Sequence, residues 1–119
     1  MPKTSSNFDF RRPIAYDCEA KRAFHNHARR RLKQLADALG LSPSACDLRS
    51  NLGGIAVSGE VTLHADHVYV QACQPATGND SGVMYRTCEG RKDYNGGPNH
   101  FASLDLLIRP DDLARRIQE

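Results

Sequence analysis

The residue types best suited to chemistry gather between Arg86 and Phe101, in the run RTCEGRKDYNGGPNHF, which sits between two apolar segments. Loops that carry such side chains on a rigid scaffold are where binding and catalytic groups tend to lie. Three of its residues supply the roles of a thiol hydrolase, with Cys88 as nucleophile, His100 as base and Asp93 orienting that base. No family-specific motif surrounds Cys88, so no catalytic residue is assigned and a non-enzymatic role is preferred. A second reading uses Gly96 and Gly97 to expose backbone amides beside Arg91 and Lys92, giving an anion-binding concavity. In a third, Gly96, Gly97 and Pro98 only shape a tight crossing from strand to helix. The order G-x-x-x-x-G-K-[ST] is absent, which excludes a P-loop nucleotide hydrolase.

Metal chemistry finds little support. His25 and His27 stand two residues apart on a predicted helix and cannot share a face. His64 and His67 could converge across a hairpin, with Asp66 or Glu60 assisting, but a zinc site needs at least three ligands at fixed geometry. Cys18, Cys46, Cys73 and Cys88 are widely and irregularly spaced, contain no C-x-x-C pair and read as small buried hydrophobes. No metal or cofactor is expected.

Charge is the stronger signal. The chain carries a formal net charge of only +2, yet Lys21, Arg22, Arg29, Arg30, Arg31 and Lys33 follow one another with no acid among them. On a helix whose buried stripe is Ala20, Phe24, Ala28, Leu32, Leu35, Ala36 and Leu39, the residues Arg22, Arg29, Arg30 and Lys33 fall on the solvent side. Such a face is either an ordinary solvated surface or a phosphate-contacting one. The second reading predicts weak, salt-dependent nucleic-acid binding through Arg22, Arg29, Arg30, Lys33, Arg91 and Lys92.

These residues need elements to hold them. The helix is expected to begin at Asp17, whose carboxylate accepts first-turn amides, and to stop at Gly40. Alternation over residues 55–64, and again from Val68 to Cys73, predicts two strands joined by a tight turn at Ala65 and Asp66, with His64 opposite His67. A third strand spans Val83 to Cys88. Residues Cys46 to Asn51 read as a fourth strand entering through a glycine hairpin at Gly53 and Gly54, the alternative being a short helix capped by Ser42 with Pro43 at its first position. A last helix is expected from Pro110, whose following aspartates suit its positive end; whether residues 102–108 form a helical turn of their own is open. The result is an α+β domain over residues 14–119 with both helices on one face of an antiparallel meander, preceded by a flexible arm over residues 1–13. The helix-free face would carry Glu60, Thr62, His64, His67, Tyr69, Gln71, Met84, Arg86 and Cys88. Tyr69, Gln71, Met84 and Arg86 there could form a homodimer or other protein interface, or stack single-stranded bases.

Composition sets the class. A chain of 119 residues that is 39% hydrophobic and 25% charged is long enough for one core without disulfides. With no Trp, four Phe and four Tyr, that core must be mostly aliphatic. No apolar run is long enough for a signal peptide or a bilayer span, so a cytoplasmic protein without membrane contact is expected.

The segments GEVTLHADHVYVQ and TCEGRKDYNGGPNHFASLDLL resemble those of a group of small uncharacterised proteobacterial proteins, often encoded near plasmid-like or integrative elements. The similarity spans Asp47 to Leu113 and covers the basic helix less well. It brings no activity, but implies a bacterial, cytoplasmic protein with a task linked to nucleic acid or mobile elements. The group's pattern has other residues at Asn95 and Pro98, so neither is assigned a role. The order helix, three strands, helix is also that of double-stranded RNA-binding domains, which carry a basic start to the last helix where this chain has Pro110, Asp111 and Asp112.

Overall fold

The computed structural model describes residues 9, 10, 14, 17–52, 58–74, 82–90 and 97–118. Helix α1 runs Cys18–Ala38, and both of its ends are set by single residues. The Asp17 carboxylate accepts from the amides of Glu19 and Ala20 at 3.0 and 3.2 Å, filling two of the donors a helix start leaves open. At the other end Gly40 has φ +78°, and the Gly40 and Leu41 amides return to the carbonyls of Asp37 and Ala36. That is a Schellman closure, which needs a left-handed residue at this position.

The sequence then makes both structures weighed for residues 42–51. A 3-10 turn, Pro43–Ala45, leads directly into strand β1, Cys46–Asn51. Strands β2 (Glu60–Ala65), β3 (Val68–Ala72), β4 (Val83–Thr87) and β5 (His100–Ala102) follow. The sheet is an antiparallel meander in the order β1-β2-β3-β4-β5. A 3-10 helix, Leu104–Ile108, capped by Ser103, and helix α2, Pro110–Gln118, complete the chain.

The α+β class and the placement of both helices on one sheet face are as the sequence indicates, with several corrections inside the sheet. Among the described residues it has five strands, one more than expected: β5 has no counterpart in the sequence pattern, because its three residues are too few to show a period. Strand β2 begins at Glu60, because Gly59 at φ +66° breaks the extended run; residues 53–57, including the glycine hairpin, lie outside the described residues. His64 pairs with Tyr69 and Leu63 with Val70, so the connection is Asp66 and His67. The pairing is thus displaced by two residues from the expected one, and an even displacement leaves every side chain on its expected face.

Leu32, Leu35, Leu63, Leu104, Leu107, Leu113 and Phe24 fill the layer between helices and sheet, each below 2% exposed. Burying a side chain of this kind contributes roughly 1.5–3 kcal/mol. α1 packs against α2, β1 and β2, and the 3-10 helix wedges between α1 and β4. Phe10, placed in the N-terminal arm by the sequence reading, lies in the core with Ile14 and meets the Phe24 ring edge-on at 5.8 Å.

Candidate functional site

Three regions carry the residues singled out by type and spacing. The first is the outer face of α1. Arg22, Arg30 and Lys33 are exposed there, and none of the three makes an ion pair among the described residues. Arg29 is partly buried instead: its Nη1 donates to the Leu48 carbonyl and the Ser50 hydroxyl at 3.4 and 3.3 Å, tying the helix to β1. Lys21 likewise spends its ammonium on the Leu52 carbonyl, and Arg31 donates to Gln34. Of the expected six-residue basic site, Arg29 is committed to the fold, and Arg91 and Lys92 lie outside the described residues. The remaining row, Arg22 to Lys33, spans about 16 Å along the axis. Its potential is felt by its neighbours. Burial first, and then the Arg30 and Arg31 charges, hold the His27 imidazole below its usual range.

Beneath that face sits a polar node that sequence reasoning missed. His25 is 3% exposed, and its Nε2 lies 2.7 Å from the Ser58 carbonyl. A carbonyl only accepts, so Nε2 carries the proton and Nδ1 is a bare acceptor, buried and without a hydrogen-bond partner among the described residues. Burial, followed by the Lys21 and Arg29 charges, pushes the imidazole down, against the Ser58 bond that favours the charged form. The Ser58 hydroxyl in turn accepts from the Gln74 amide, and the Gln74 side chain donates to the Phe10 carbonyl. The node joins α1, the entry to β2 and the chain before α1. Gly59 closes it, since a Cβ there would collide with the Asn51 carbonyl and come within 3.1 Å of His25 Nε2.

The second region is the helix-free sheet face. Tyr69, Gln71, Met84 and Arg86 share it, as register requires, but all four are half-buried, and Tyr69 binds both Gln71 and Arg86. The Arg86 guanidinium lies 4.6 Å from the Tyr69 ring centre, and the Tyr69 hydroxyl donates to Gln71. His64 meets the same ring edge-on and donates from Nε2 to the Gly90 carbonyl at 3.0 Å. It is 5% exposed. His64 and His67 therefore do not converge across the hairpin as opposite residues: His64 is buried against Tyr69 and His67 is exposed in the turn. Phe101, which pairs with Met84, is 54% exposed on this face.

The third region is the Arg86 to Phe101 run, of which residues 91–96, with Asp93, Gly96, Arg91 and Lys92, lie outside the described residues. Cys88 is buried with its thiol donating to the Ala65 and Asp66 carbonyls at 3.3 and 3.7 Å. His100 lies over Tyr85, ring centres 5.4 Å apart and nearly parallel, on the helix side of the sheet. The thiol and imidazole are therefore each held by other groups. Of the remaining cysteines, Cys18 is exposed while Cys46 and Cys73 are intermediate, so the reading of all four as buried holds for Cys88 alone. No group of three or more His, Cys, Asp or Glu side chains gathers for a metal among the described residues. No described helix is long and apolar enough to cross a membrane.

No known protein family, curated protein or solved structure matches this chain.

Proposed function

We propose that the protein binds nucleic acid through its phosphates, weakly and without base readout, using Arg22, Arg30 and Lys33 on α1. The observation that supports this most is the exposed cationic row itself, which makes no ion pair among the described residues while neighbouring Arg29 and Lys21 are committed to the fold. Three phosphate contacts release about three counterions from duplex DNA, so log affinity should fall with log salt at a slope of about −2.7. Fluorescence anisotropy with single- and double-stranded DNA and RNA at low salt tests the reading. Binding that weakens along that slope supports it; the absence of binding to all four removes it.

The sheet face carries a rival reading of a different class, a symmetric homodimer about Tyr69, Gln71, Met84 and Arg86. The observation favouring it is Phe101, which adds exposed apolar surface beside Met84. An isologous contact would cover the patch on both copies at once. Light scattering at micromolar concentration should then give twice the monomer mass, and Phe101→Ser should return it to one. A strict monomer removes the dimer.

A further inference from the structure

The helix side of the sheet ends in a cleft that neither reading uses. It has a volume of about 380 Å³ and opens between the last turn of α2 and the ends of β3, β4 and β5. Its polar lining comes from His67, Tyr85, Thr87, His100 and Arg116, with Val68 and Ile117 as an apolar floor. Arg86 also borders it, but its guanidinium lies on the opposite sheet face over Tyr69. No carboxylate appears among the described residues that line it.

The fold leaves these groups available. On α2, Arg115 pairs with Asp112 at 3.1 Å, whereas Arg116 makes no ion pair among the described residues. The His100 ring is held flat against Tyr85 yet stays exposed, and His67 is exposed in the two-residue turn between β2 and β3. An arginine, two histidines, a tyrosine and a threonine thus line one small volume. Every one of them can donate a hydrogen bond, and the guanidinium adds fixed positive charge.

We infer that this cleft binds a phosphate monoester, with Arg116 as its charged anchor and His67, His100 and Thr87 as further donors. A phosphate has three terminal oxygens and accepts from several directions, whereas a planar carboxylate is satisfied by the arginine fork alone. The volume lies at the small end of the range for ligand sites and matches a compact molecule. The phosphate can belong to a small phosphorylated metabolite or to the phosphorylated end of a nucleic-acid strand. The inference stands apart from the row on α1, which lies on a different element.

Heteronuclear NMR of the whole protein tests it, with inorganic phosphate, adenosine, adenosine monophosphate, and an oligonucleotide with and without a terminal phosphate as probes. The monophosphate should shift the amide signals of Thr87, Tyr85 and His100, and adenosine should not. Arg116→Gln, an exposed change expected to leave the fold intact, should weaken the effect at least about tenfold. Replacing Arg22, Arg30 and Lys33 by Gln should leave it unaltered, which separates failure of this site from failure of the α1 reading. Shifts from the phosphorylated oligonucleotide but not from the monophosphate would assign the phosphate to a strand end. The inference is overturned if no phosphorylated probe shifts these signals, if adenosine shifts them equally, or if Arg116→Gln binds as wild type does.

Discussion

His25 shows how one side chain can serve the fold through its protonation state. It donates to Ser58 as a neutral ring, and burial with the Lys21 and Arg29 charges opposes a second proton. A histidine whose folded pKa lies below its unfolded value stabilises nothing extra above that unfolded value, near 6.5. As pH falls below it, the unfolded chain takes up a proton that the folded one resists, and stability drops until the folded pKa is passed. His27 is shifted in the same direction and adds to the effect. Denaturant melts between neutral pH and about pH 5 should show this loss, at no more than about 1.4 kcal/mol per pH unit for each proton. In His25→Gln the pH dependence should shrink by the His25 share; an unchanged profile would mean that the buried ring titrates normally. Gly59 is a second residue with a specific cost. At φ +66° and against the Asn51 carbonyl, Gly59→Ala should destabilise by about 1–3 kcal/mol. The thiols give a third test. Cys18 should react with iodoacetamide in the native protein, while Cys88, turned to backbone carbonyls, should resist until unfolding. Burial also pushes the Cys73 thiol up, against its bond to Gln71, so Cys73 should lag behind Cys18.

At the scale of elements, α1 was the most legible part of the chain because its signals are local. Asp17, the aliphatic stripe and Gly40 each act within a few residues, and all three do in the structure what their types require. Asp17→Ala should cost about 1 kcal/mol in thermal or denaturant unfolding. The sheet was legible in class but less so in detail. Period two marked β2, β3 and β4, and parity survived the two-residue displacement at the hairpin. The bounds of β2 did not, since apolar Ile55 and Val57 continue the alternation past Gly59, and only the backbone angle at that glycine shows where pairing starts. Strand β5 escaped because its pairing to β4 is non-local and its sequence, HFA, carries no pattern of its own. Candidate sites followed the same rule. That Arg22, Arg30 and Lys33 face solvent could be read from helical spacing, whereas the diversion of Arg29 to Leu48 depends on where β1 lands. His25 gave no signal, because one histidine at the border of an apolar stripe does not reveal the carbonyl that will meet it. The cleft around Arg116 draws on β3, β4, β5 and α2, and no reading confined to one segment could assemble it.

For the molecule as a whole, the distribution of charge decides more than its sum. A net charge of +2 would pass for neutral, yet three of the exposed cations form a row on one helix, and the opposite side of the sheet presents a mixed face where Arg86 is held over Tyr69. A long-range field from three clustered charges steers a polyanion and is screened within about 10 Å at ordinary salt. The most direct measurement is therefore anisotropy of a labelled duplex, at low salt and across a salt series, for wild type, for the triple variant Arg22→Gln, Arg30→Gln, Lys33→Gln, and for Arg116→Gln. Binding through α1 predicts that the triple variant loses most of its affinity and nearly all of its salt slope while keeping its melting temperature, and that Arg116→Gln leaves internal-strand binding close to wild type. A triple variant that binds as tightly and with the same slope as wild type would contradict it.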